Sequence, residues 1–100
     1  MTEHWPPPSF DWEQWKADIN PLNHEGVTFP EAVTVFHDEA RMSELDWNHS
    51  DDEVRFKVIG ISSKLRILLV VHGEVSLSGS IKIISARKAN KNERNRYING

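Results

Sequence analysis

Arg87 stands just after the apolar run Ile81 to Ala86, inside the most basic stretch of the chain, KIISARKANKNERNRY, Lys82 to Tyr97. A guanidinium at a strand end is a rigid fork of donors suited to phosphate or carboxylate. Ser85 shares the alternation of Arg87, and the segment beyond it opens as a helix, whose first N–H groups also favour anions. Arg55 and Lys57 alternate along another strand and extend the same chemistry; a solvated face is the simpler account of them. His72 ends an apolar strand and is the best acid–base histidine, since imidazole ordinarily titrates near neutrality. A structural histidine at a strand end is the alternative. Glu93 is a further titratable candidate, but as the last residue of Asn90-Lys91-Asn92-Glu93 it explains itself as part of a capping box.

These residues sit in a chain of divided charge. Residues 1–53 hold 13 acidic residues against Lys16 and Arg41, and residues 54–100 hold ten Lys and Arg against Glu74 and Glu93. The net charge of −3 hides this split, which suits a polyanion at the basic end or two partners of opposite charge. A length of 100 residues sets one domain, and 38% hydrophobic residues with four tryptophans argue for a packed core. The absence of cysteine removes disulfide and thiolate-zinc frameworks and fits a reducing compartment. No basic and apolar leader opens the chain, and the run Ile67 to Val71 is too short to span a bilayer, so a cytoplasmic protein is expected.

The elements that position the candidates follow from period and punctuation. Three consecutive prolines predict a loose arm over residues 1–9, ahead of a single domain over 10–100. Asp11-Trp12-Glu13-Gln14 has capping-box form, and Trp12, Trp15, Ile19 and Leu22 fall on one helical face as expected core, with Pro21 ending the helix near Asn20. Thr28-Phe29-Pro30-Glu31 starts a second helix with Ala32, Val33, Val35 and Phe36 inward. Residues 37–53 read as a long acidic loop with a short strand near Arg41 to Leu45. From Val54 the period is two, with Val54, Phe56 and Val58 on one face. Leu65 to His72 has the two-sided apolar character of a central strand, and GEVSLSGS forms a hairpin loop. The next strand, Ile81 to Ala86, sets Ile81, Ile83 and Ser85 opposite Lys82, Ile84 and Ala86. A capped helix then closes the chain at about Ile98. The expected fold is α+β: two N-terminal helices, an antiparallel sheet of three to four strands and a short C-terminal helix.

The chain resembles the BrnT toxins of bacterial type II toxin–antitoxin systems. The resemblance runs through Phe10-Asp11-Trp12, Lys16, Asn20, His24, Gly26 to Phe29, Glu31-Ala32, Val35-Phe36 and Asp38. It resumes at His49-Ser50, Glu53, Arg55-Phe56, Gly60 and Val70-Val71-His72, and ends with Ile83 to Ala89, Glu93-Arg94 and Tyr97. It implies a RelE-like ribonuclease fold, RNA cleavage that halts translation, and a BrnA-like ribbon-helix-helix antitoxin. Through that antitoxin it also implies promoter DNA as an indirect partner. Lys16 and His24 enter as candidates on the family pattern alone.

Cleaving RNA without a metal requires a base for the 2′-OH, an acid for the leaving oxygen, cations for the phosphoryl charge and a surface that splays the strand. The catalytic set is then Arg87, His72, Arg55, Glu93 and Tyr97, with Tyr97 either stacking on a base or covering the core. RNA contacts fall to Lys16, His24, Lys57, Lys82 and Arg94. No cofactor is expected, and His49 beside Asp51 to Glu53 matches no metal-ligand spacing. The alternative function is a catalytically silent binding module acting only through the antitoxin and promoter complex.

Overall fold

The computed structural model describes residues 9–46 and 53–100. Most of the expected arm, residues 1–8, and the loop segment 47–52 with His49 lie outside them. The element order is β1 (Ser9–Asp11), α1 (Gln14–Asn23), α2 (Phe29–Thr34) continuing into a 3-10 turn (Val35–His37), β2 (Met42–Leu45), β3 (Arg55–Ile61), β4 (Ile67–Val75), β5 (Ser80–Lys88) and α3 (Lys91–Asn99). The sheet has five strands in the order β1-β5-β4-β3-β2, with β1 parallel to β5 and the other pairs antiparallel. It is therefore mixed and larger than the antiparallel sheet of three to four strands expected. The added strand is β1, and β4 is central as anticipated.

The first helix departs from its sequence signal for a non-local reason. Asp11 pairs with Lys82 in the sheet, and its carboxylate accepts from Ser80 Oγ at 2.8 Å, so it is spent on the sheet instead of capping α1. The helix starts at Gln14, with Glu13 at the N-cap and no side-chain cap. Pro21 lies inside the helix. Beyond it the last turn closes through His24 N–H to Asn20 O and Gly26 N–H to Pro21 O. Of the expected apolar face only Trp12 packs against the core, edge-on to Phe29 at 5.7 Å. Trp15, Ile19 and Leu22 are exposed, because α1 turns Ala17 and Asn20 inward instead. Asn20 is buried: Nδ2 donates to Val27 O and Ala86 O, both at 2.8 Å, and Oδ1 accepts from Ala86 N–H.

The second helix forms as its sequence dictates. Thr28 Oγ1 accepts from Glu31 N–H, and Pro30 sits in the first turn, where no donor is missed. Phe29, Ala32 and Val35 are buried against Val58 of β3, Leu68 and Val70 of β4, and Ile83 and Ala86 of β5, which together make the core on one sheet face. Glu31 is buried beside them and forms a forked pair with Arg66, at 2.8 and 2.6 Å, while Ser62 Oγ donates to it at 2.7 Å. This pair ties the β3–β4 turn to α2. The Arg66 hydrogen bonds hold the Glu31 carboxyl below its ordinary range against the opposing effect of burial.

A bulge resets the faces of β5. Val71 pairs with Ser85 but His72 pairs with Ile83, so Ile84 is an extra residue on β5. Past this bulge Ala86 joins Ile81 and Ile83 on the core side, and Ser85 and Arg87 turn to the opposite face. The expected grouping of Ile81, Ile83 and Ser85 is thus overturned, while the shared face of Ser85 and Arg87 holds. A separate constraint is a close approach at Gly60, where a Cβ would lie 2.8 Å from Val35 Cγ1 and 3.2 Å from Asp38 Oδ2. Gly60→Ala is expected to destabilise the fold by about 1–3 kcal/mol through overpacking, measured by urea unfolding.

Candidate nucleic-acid interface

The sheet face opposite the core carries Arg55 and Lys57 of β3, Leu69 and Val71 of β4, and Ser85 and Arg87 of β5, because these positions alternate with the core residues. They line a concavity of about 330 Å³ together with Asp46 and Ile84. A second concavity of about 260 Å³ adjoins it, bordered by Trp15, Lys16, Ile19, Asn23 and His24 from α1 and its end. Arg55, Ile84 and Ser85 line both, so the two make one trough running from α1 across the sheet to Arg87.

The trough cations have carboxylate neighbours. Lys16 lies 3.9 Å from Glu13, Arg55 lies 3.5 Å from Glu53, and Lys57 lies 3.8 Å from Glu44. Such partly exposed pairs contribute little, and phosphate competes readily for their cations. Arg87 is different. Its Nη1 and Nη2 donate to the two oxygens of Glu93 at 2.8 and 2.9 Å, and Nη1 also donates to Lys88 O. Glu93 Oε1 in turn accepts from Asn90 N–H, and Asn90 Oδ1 accepts from Glu93 N–H, which completes the capping box of α3. The Arg87 bonds hold the Glu93 carboxyl below its usual range against burial, and Glu93 raises the Arg87 guanidinium correspondingly.

Of the ten residues singled out from the sequence, Arg87, Arg55, Lys57, Lys16 and His24 line the trough, and Glu93 backs it. The other four lie elsewhere. His72 shares the core face of β4 with Leu68 and Val70, stacked on Phe56 and edge-on to Phe36, both at 5.3 Å. It is 7% exposed, its Nδ1 lies 2.6 Å from Gly73 O, and burial pushes its titration below the ordinary histidine value. Placed there, it does not meet the trough. Lys82 pairs with Glu13 at 3.3 Å beside β1. Arg94 Nη1 donates to Ala89 O, tying α3 to the chain leading into it. Tyr97 donates to Asp38 Oδ2, which also accepts from Ile61 N–H. Burial raises the Asp38 carboxyl, but these bonds and the Ala40 N–H outweigh it and leave it below its usual value.

Asp46 and Trp15 are among the trough residues that the sequence reading does not single out. Asp46 is buried and lines the trough, with its N–H donating to Arg55 O, yet it stands in an acidic loop where nothing marks it out. Trp15 shares helical spacing with Trp12, so periodicity assigns both to the core, although Trp15 is 57% exposed. Among the described residues, no group of three or more His, Asp or Glu is placed to hold a metal ion. No helix among them is long and apolar enough to cross a membrane.

The family model for the ribonuclease toxin BrnT of type II toxin–antitoxin systems matches residues 12–93. The chain belongs to the BrnT family. Membership of a type II toxin–antitoxin family implies an antitoxin as partner. The BrnT fold is seen independently in a solved structure, the crystal structure of the Brucella abortus ribonuclease toxin BrnT. That structure superposes with a TM-score of 0.59 at 21% identity, over 84% of this chain and 99% of the other. A comparison with curated proteins found no match. The match from residue 12 onward spans α1 to the first turn of α3, and so takes in every trough residue named above.

Proposed function

We propose that this BrnT-family protein is an RNA endonuclease, RelE-like in fold, that inhibits translation in the bacterial cytoplasm, with residues 10–100 acting as its toxin domain. The observation that carries the reading is the convergence of Arg87, Arg55, Lys57 and Lys16, from three different elements, on one trough. A single RNA strand laid along it places successive phosphates against successive cations. Exposed Trp15 offers a ring on which an unstacked base can rest.

Cleavage proceeds by attack of a ribose 2′-oxygen on the adjacent phosphorus, with departure of the 5′-oxygen. Arg87 neutralises charge developing on the phosphoryl oxygens, and the side chains supply the cationic role, so no divalent metal is required. His24, the one histidine lining the trough among the described residues, takes the 2′-OH proton, and water protonates the departing 5′-oxygen. A BrnA-like ribbon-helix-helix antitoxin holds the protein inactive, and the pair reaches promoter DNA through the antitoxin.

The test is to incubate purified, antitoxin-free protein with single-stranded RNA and with translating ribosomes in excess EDTA. Cleavage is the expected result. RNA left intact in both settings overturns the reading, and tight antitoxin binding without growth arrest would then assign the protein to a silent binding role.

A further inference from the structure

We infer that Glu93 is a positioning residue that aims Arg87, so that one carboxylate both caps α3 and directs the phosphate clamp. The inference rests on the reading of Arg87 as that clamp. Arg87 has five N–H donors, and their disposition is specific. The end-on fork, Nη1 and Nη2, is occupied by the two oxygens of Glu93, and the second Nη1 hydrogen goes to Lys88 O. This leaves Nε–H and the second Nη2–H, the side-on fork, with no hydrogen bond among the described residues. These two parallel donors match two oxygens of a phosphate. Two contacts to one planar group fix its plane as well as its place, so the free fork has a set direction within the trough that Arg87 lines.

The helix enters because Glu93 is itself held. Its Oε1 accepts from Asn90 N–H at 2.8 Å and its own N–H donates to Asn90 Oδ1 at 2.9 Å. Its side chain is 13% exposed, against 39% for Arg87. The clamp is therefore referenced to the first turn of α3, and the strand end alone does not set its orientation. A helix cap by itself does not require this, since glutamine serves at the same capping position.

That equivalence separates the two roles. Glu93→Gln keeps one oxygen for Asn90 N–H and Arg87 Nη1, but turns an NH₂ toward Nη2, donor against donor, and breaks the fork. Asn90→Ala removes the acceptor for Glu93 N–H and weakens the cap, while both contacts to Arg87 remain. The expected result is a drop of roughly 10- to 100-fold in kcat/KM for Glu93→Gln, read at 25 °C on folded protein, together with a lowered melting temperature from the lost ion pair. Asn90→Ala lowers the melting temperature and leaves cleavage at 25 °C near wild type. In an Arg87→Ala background, Glu93→Gln is expected to have no further effect on cleavage.

Equal losses in Glu93→Gln and Asn90→Ala would overturn the inference, as would wild-type cleavage by Glu93→Gln or an additive effect on top of Arg87→Ala. Binding of a 2′-O-methyl RNA oligonucleotide, which lacks the attacking hydroxyl, provides a readout independent of turnover. If the wild type cleaves nothing yet Glu93→Gln alone weakens this binding, the endonuclease reading fails and the positioning role stands.

Discussion

Arg87→Ala is expected to reduce cleavage of single-stranded RNA by about 10²- to 10³-fold, the usual loss when one donor to a developing oxyanion is removed. The effect should fall chiefly on kcat, because the side-on fork gains most as charge builds on the phosphoryl oxygens. Arg87→Lys should recover little of it, since an ammonium keeps the charge but has no planar fork to receive Glu93 and present a second face. Lys57→Ala should instead weaken RNA binding and lower the slope of log affinity against log salt by about 0.7, one single-strand phosphate contact. Single-turnover cleavage and fluorescence anisotropy at several salt concentrations measure the two effects separately.

The largest effect on stability is expected at Arg66. Its fork satisfies a glutamate that is 4% exposed, so Arg66→Ala leaves Glu31 with Ser62 Oγ as its remaining side-chain donor in a nearly dry site. Breaking a buried pair from one side costs about 3 kcal/mol, or roughly 12–24 °C in melting temperature for a domain of this length. The pH dependence carries the signature. In the wild type Glu31, Asp38 and Glu93 titrate below their ordinary values, so the unfolded chain takes up protons first on acidification. Their contribution is complete above the ordinary glutamate value of 4.5 and is lost as pH falls through the depressed folded values. In Arg66→Ala, burial acts on Glu31 without the fork that opposed it, so acid relieves the lone charge. The stability gap between variant and wild type should therefore narrow as the pH is lowered, as followed by urea unfolding across a pH series.

What could be read from the sequence was whatever a few neighbouring residues decide. Thr28 with Glu31, and Asn90 with Glu93, set their helix starts through contacts three residues apart, and both formed as expected. The central position of β4 followed from its two-sided apolar run, and Arg87 from its place at a strand end. The failures share a different physics. Asp11 carries the same local signal as Asn90 but pairs with a strand 71 residues later, and its carboxylate goes to Ser80. The bulge at Ile84 depends on how β5 registers against β4, which no local pattern announces. His72 is polar on a core face because Phe36 and Phe56 enclose it, and enclosure is a tertiary property. The trough was legible as a list of cations from separate segments, and only the fold brought them together.

Asn20 has a consequence for how the sheet meets other chains. Strand β1 accompanies β5 only as far as Lys82, which would leave the later part of β5 as a bare edge able to recruit a foreign strand. The carboxamide occupies both the N–H and the C=O of Ala86, the groups an incoming strand would need first. A single side chain thus acts as a stopper on sheet growth. In a chain that also exposes Trp15 and Ile19 beside Ile84 and Ser85 of β5, it guards against edge-to-edge aggregation where sticky surface and open backbone would otherwise coincide.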